Sequence, residues 1–265
     1  CGRIGMVTGQ GLAGVIKKYY SKKILFGAVL LLGVANIINI GADLGAMGQA
    51  LAMITPLPFG LSLITITFLS LVSTIVIPYH MLAKVLKYFA ATVLSYVVVA
   101  FFIQQNWIEI LRAALTPHME WNQAFLLNIT AFLGTTISPY LFFWQADEEV
   151  EEEIDSKKIK GFGQGRPHIT QKDLITMRND TVIGMVLSNV IAFFIIITAS
   201  STIASSGNHV ISSATELAEA LRPLAGDFAV YLFAFGILGT GFLAIPVLAG
   251  SFAYSVAETF NFPLG

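Results

Sequence analysis

An uncharged stretch from Trp121 to Ala146 carries Gly134-Thr135-Thr136-Ile137-Ser138-Pro139-Tyr140 in its middle. Pro139 has no amide hydrogen and its ring clashes with the carbonyl four residues back. A helix through this point must therefore loosen and free backbone carbonyls near Thr135. Hydrocarbon offers such groups no partner, so irregular backbone at that depth either packs within protein or lines a polar cavity, as in interrupted helices that bind ions. The segment from Gly134 to Tyr140 is accordingly a candidate binding site. The alternative is a simple kink whose lost bond is repaired by neighbouring hydroxyls.

A second chemical signal is Asp43, the only formal charge between Ile24 and Ala83. A carboxylate in lipid costs roughly 2.5 kcal/mol or more, so it should face a cavity or a partner. At helical spacing Asn36, Asn39 and Asp43 share one stripe, which points into the bundle. Asp43 reads as a cation ligand or proton relay, or as a protonated structural aspartate; the pattern leaves both open. Asn39 and Asn189 are candidates for polar lining, while Ser188, Thr240 and Tyr254 read as helix-stitching groups. Small-residue spacings at Gly5-Gly9, Gly41-Gly45 and Gly236-Gly239-Gly241 favour close helix packing.

The elements that must hold these residues are membrane helices. Of the 265 residues, 55% are hydrophobic and 12% charged, and the mean hydropathy is +0.76; soluble domains carry about 25% charge. The expected class is an all-α, polytopic transmembrane bundle forming a single domain. At about 20 apolar residues per crossing, six spans are expected: about 24–53, 59–77, 85–103, 122–146, 181–204 and 228–257. A charged cytoplasmic loop should occupy 147–180. Its acidic run, Asp147 to Asp155, reads as a solvated helix extension followed by a linker, with cation collection as the sharper alternative. Trp107 to Leu115 and Ala214 to Leu224 look like short amphipathic helices at the outer interface.

Lys17, Lys18, Lys22, Lys23, Lys84, Lys87, Lys157, Lys158, Lys160, Arg166, Lys172 and Arg178 all fall on one side of this arrangement, against Arg112 and Arg222 on the other. Cytoplasmic loops hold the basic excess, so the N-terminal end is expected to be cytoplasmic. A net charge of −1 leaves no basic surface for nucleic acid. The single cysteine, Cys1, excludes an internal disulfide. His80, His118, His168 and His209 lack zinc-site spacing. No nucleophile elbow, P-loop or zincin helix supports an enzyme. A start without methionine suggests a piece of a longer polypeptide.

Three segments carry a family likeness: Arg3-Ile4-Gly5-Met6-Val7-Thr8-Gly9-Gln10-Gly11-Leu12-Ala13, Asn36 through Leu44, and Gly134 through Ala146. They resemble the NRAMP family of divalent metal transporters, more closely a divergent bacterial branch, and the likeness runs the whole length. It implies a partial LeuT-like inverted-repeat fold in which the six spans are helices 3 through 8, within a bacterial cytoplasmic membrane. The family's other half-site, an Asp-Pro-Gly-Asn type motif on the first helix, is expected upstream of Cys1.

Typical members read Ala-x-x-Met-Pro-His in the sixth helix. The resemblance puts Thr135 at the alanine whose carbonyl binds metal, Ser138 at the methionine, Pro139 at the proline and Tyr140 at the histidine. Thr135 and Ser138 are thus the implied metal ligands. Exchange of a soft thioether for a hydroxyl implies a bias toward hard cations such as Mg²⁺, Mn²⁺ or Ca²⁺. Ala46 stands where typical members have a glutamate, which leaves Asp43 as the intramembrane acid available to protons. The implied function is secondary transport of a divalent cation by alternating access, in symport with protons if Asp43 relays them. The metal is substrate, and no resident cofactor is implied. Two alternatives remain: a cation-coupled carrier of small organic solutes, and a non-transporting membrane sensor or scaffold.

Overall fold

The computed structural model describes residues 1–76, 94–102, 106–116, 119–165, 167–206 and 214–264. His80, Lys84, Lys87, His118, Arg166, His209 and the first half of the expected third span lie outside the described residues. Every regular element among the described residues is an α-helix. In chain order these are α1 (Gly2–Thr8), α2 (Leu12–Tyr19), α3 (Lys22–Ile54), α4 (Phe59–Val76), α5 (Leu94–Phe102), α6 (Trp107–Leu115), α7 (Gln123–Thr136), α8 (Pro139–Asp155), α9 (Gln171–Ser206) and α10 (Ala214–Phe260). Among the described residues, α3, α4, the α7–α8 pair, α9 and α10 make five helical stretches long and apolar enough to cross a bilayer. The protein is therefore an all-helical, multi-pass membrane protein.

Two details differ from expectation. The acidic run is helical, as the expected helix extension requires, since α8 continues to Asp155. That run is not solvated throughout: Asp147, Val150 and Glu153 are buried on one face of α8. Ala214 to Leu224 is not a separate helix but the opening turns of α10. Pro223 is accommodated inside that helix.

The chain divides into two compact units, the first comprising Cys1–Ile40, Glu120–Ile183 and Val247–Gly265, and the second Gly41–Met119 and Gly184–Pro246. In the first, Ala13, Leu25, Val29, Leu32 and Phe143 form the core, with Leu12, Ile16, Phe252 and Val256 packed against it. Glycines let the helices approach: Gly5 leaves no room for a side chain against the Ala146 backbone, Gly33 sits under the Phe252 ring and Gly250 under Trp144. Asn36 stitches α3 to α10, donating from Nδ2 to the Leu248 carbonyl at 2.8 Å and to Ser251 Oγ at 3.0 Å. Buried amides on membrane helices act as such ties.

The corner between α1 and α2 belongs to this unit. Gly9 ends α1 in the left-handed region, at φ 61°, and its amide donates to the Gly5 carbonyl, a conformation glycine adopts without the usual side-chain penalty. The Gly9 carbonyl accepts from Gly163 N at 2.6 Å, so the 156–170 linker docks onto the corner. At the start of α2 the Glu258 carboxylate accepts from Gly11 N and Gly14 N, both at 2.7 Å. A side chain thus satisfies amides that a helix start leaves free.

In the second unit Gly241 meets Met47 and Gly48 lies against Leu63. Phe101 packs with Trp107 and Phe194 at ring separations of 5.2 and 5.7 Å. Gly41 and Gly45, expected to mark a close crossing, have nothing within 4 Å of where a Cβ would stand.

Candidate functional site

The stretch around Pro139 is not a kinked helix but two helices end to end. α7 stops at Thr136; Ile137 takes φ −103° and ψ 59°, and Ser138 takes φ −76° and ψ 130°, with Pro139 as the first residue of α8. Proline suits that position because the first helical amide has no acceptor in any case, and its φ is already near the helical value. The helix is therefore interrupted one residue earlier than the proline itself, at Ile137 and Ser138.

Ser138 occupies the break and is 3% exposed. Its hydroxyl lies 2.6 Å from the Thr135 carbonyl and 3.2 Å from the Gly134 carbonyl, so one proton is shared between two oxygens that lost their amide partners. Each carbonyl has a second lone pair, and the Ser138 oxygen keeps its own. The break thus gathers hard oxygen donors within one turn. Thr135 Oγ1 points back along α7, 3.1 Å from the carbonyls of both Ala131 and Phe132. What Thr135 offers at the break is its carbonyl rather than its hydroxyl.

The other sequence candidates are placed as follows. Pro139 is exposed, and Tyr140 packs against the apolar core of the first unit. Asn39 is half-buried, as is Asp43, which belongs to the second unit. Asn36, on the same stripe, is 1% exposed and engaged in packing. Asn189 is exposed and donates to Met185 O of its own helix at 2.7 Å. The structure brings Thr135, Ser138 and Pro139 together through the local break.

Acidic groups sequence reading assigned to a solvated face instead border a cavity of about 570 Å³ in the first unit, lined among others by Gln145, Glu149, Glu152, Glu153, Lys158 and Asp180. Gln145 Nε2 donates to Thr181 Oγ1 at 2.9 Å, linking α8 to α9. Burial holds Glu149 up at about 7, helped by Glu152, Glu148 and Asp180 and opposed by Lys158. Glu153 is likewise raised to about 7, by burial first, with Lys158 opposing. These walls gain negative charge across the neutral range. The residues that could have signalled this buried face were Val150 and Ile154, apolar positions one turn apart inside the acidic run.

Among the described residues no group of three or more His, Cys, Asp or Glu side chains is arranged to hold a metal ion. A cation bound at the break would therefore rely on carbonyl and hydroxyl oxygens there. A family model described as natural resistance-associated macrophage protein-like matches residues 1–265, the entire chain. Among curated proteins, no match to the chain is found.

Proposed function

This chain belongs to the Nramp family, and on that premise we propose that its divalent metal substrate binds at the break between α7 and α8. Membership makes the protein a divalent metal-ion transporter of the membrane and not an enzyme. The reading is carried by Ser138, a buried hydroxyl set between the Gly134 and Thr135 carbonyls where the helix is interrupted. The Thr135 carbonyl and Ser138 oxygen serve as ligands, Pro139 keeps the turn open, and Tyr140 and Asn39 contribute to its surroundings. Asp43 supplies charge or accepts a proton on α3, and Asn189 is a candidate polar-lining residue of α9.

Hydroxyl and carbonyl oxygens are hard ligands, and no thioether accompanies them at this position. The ion handled best is then Mg²⁺, Mn²⁺ or Ca²⁺ rather than a late transition metal. Transport proceeds by alternating access on a LeuT-like scaffold in a bacterial cytoplasmic membrane, with the N-terminal end of the chain in the cytoplasm. The test is divalent-ion uptake by the intact protein in proteoliposomes. Ser138→Ala removes the hydroxyl and Asp43→Asn the charge; both should lower uptake, the first by about tenfold or more, the cost of one charge-assisted contact. Unchanged uptake in both variants discards the site.

A further inference from the structure

We propose that Asp147 and Glu258 form a proton-binding site that fastens the α1–α2 corner to the middle of α8 and the end of α10. Asp147 is 1% exposed and Glu258 8%. Both oxygens of Asp147 are buried without a hydrogen-bond partner among the described residues. The two carboxylates converge at Gly11, where a Cβ would overlap an oxygen of each. Glu258 has one oxygen on Gly11 N and the other on Gly14 N, so Glu258 is the partner equipped to stay ionised. Asp147 is the partner with nothing to hold a negative charge.

The charged and titratable neighbours reinforce this division. On α2, Lys17 Nζ is committed to the carbonyls of Glu258 and Thr259 and to Asn261 Oδ1, at 2.8 to 2.9 Å. On α8, Glu151 adds negative charge and accepts from the Tyr254 hydroxyl of α10. On α1, Arg3 is exposed. Two like charges in so confined a space cannot both ionise, and a proton retained on Asp147 resolves the conflict. A divalent cation would find the Glu258 oxygens already occupied and too few others, since such ions take about six oxygen ligands. Burial pushes Asp147 well above the usual carboxylate range, with Glu258 and then Glu151 adding to the rise.

The sign of the effect follows. An acid whose folded value is raised binds its proton more tightly in the closed corner than in an opened one. Closure is therefore fully supported below the ordinary carboxylate range, about pH 4, and weakens as pH climbs toward the pair's own titration. The inference does not rest on the metal site at Ser138, and it concerns docking of the corner rather than the ion's path.

Amide hydrogen exchange on the intact protein in lipid nanodiscs tests it. After correction for intrinsic base catalysis, protection of the Gly11 and Gly14 amides should fall as pH rises, by up to about tenfold per pH unit, the slope of a single-proton linkage. In Asp147→Asn, which keeps shape and removes the titrating group, protection should stay constant over the same range. A flat profile in the unaltered protein, or parallel declines in both proteins, overturns the proposal. Should the variant fail to fold, infrared spectroscopy with Asp147 intact decides. With Glu149→Gln and Glu153→Gln in place to remove the carboxyls that hold protons near neutrality, a protonated-carboxyl carbonyl band present at neutral pH and lost together with protection supports it, and absence of that band at neutral pH overturns it.

Discussion

At the scale of single residues, the proposed selectivity turns on Ser138. Its side chain is small enough to turn back on the Thr135 and Gly134 carbonyls, a geometry a longer side chain cannot reproduce. Ser138→Met gives up that hydroxyl and supplies a thioether. The expected outcome is a shift in competition assays toward Cd²⁺ over Mg²⁺ by about tenfold or more, because a thioether favours the softer ion. Equal preference before and after the exchange would show that the side chain at 138 does not meet the ion. The importance of Pro139 was legible from sequence because proline acts on its own neighbourhood. The bonding of Ser138 was only half legible, since the repairing hydroxyl was foreseen as an alternative to a site. In the structure it is instead part of the break.

At the scale of elements, what matters is that α7 and α8 are separate helices. Pro139→Ala restores an amide that can reach the Thr135 carbonyl and so favours one continuous helix in place of two. Uptake should fall while the melting temperature rises, two readouts moving in opposite directions. Loss of both together would mean that the proline is needed for folding rather than for the opening. Long apolar runs announced α3, α4 and α9 because each span is fixed by its own composition. The buried face of α8 was hidden for the converse reason. Nothing within Asp147 to Asp155 states that α1 and α10 will cover one side of it, and seven acids in nine residues read as solvent-facing until those neighbours are known.

At the scale of the whole molecule, the distribution of basic residues sets the expected orientation. Lys160 is exposed on the 156–170 linker and Arg112 on α6. With Cys1→Ser in place to remove the exposed native thiol, Lys160→Cys should react with a membrane-impermeant maleimide from the cytoplasmic side alone, and Arg112→Cys from the opposite side alone. Reaction of both from one side would reject the assigned topology.

The first unit is assembled from three stretches of chain separated by the whole of the second, and this bears on how the protein is made. Asn36 finds its acceptors 212 and 215 residues later. At about 5 to 20 residues per second, ribosomal synthesis leaves that amide without them for roughly 10 to 40 seconds. The amides of Gly11 and Gly14 wait longer still, because Glu258 follows them by 247 and 244 residues. During that interval the early helices carry polar groups whose partners lie on α10. Biogenesis, more than the finished fold, is the stage at which a truncated nascent chain is exposed to quality control.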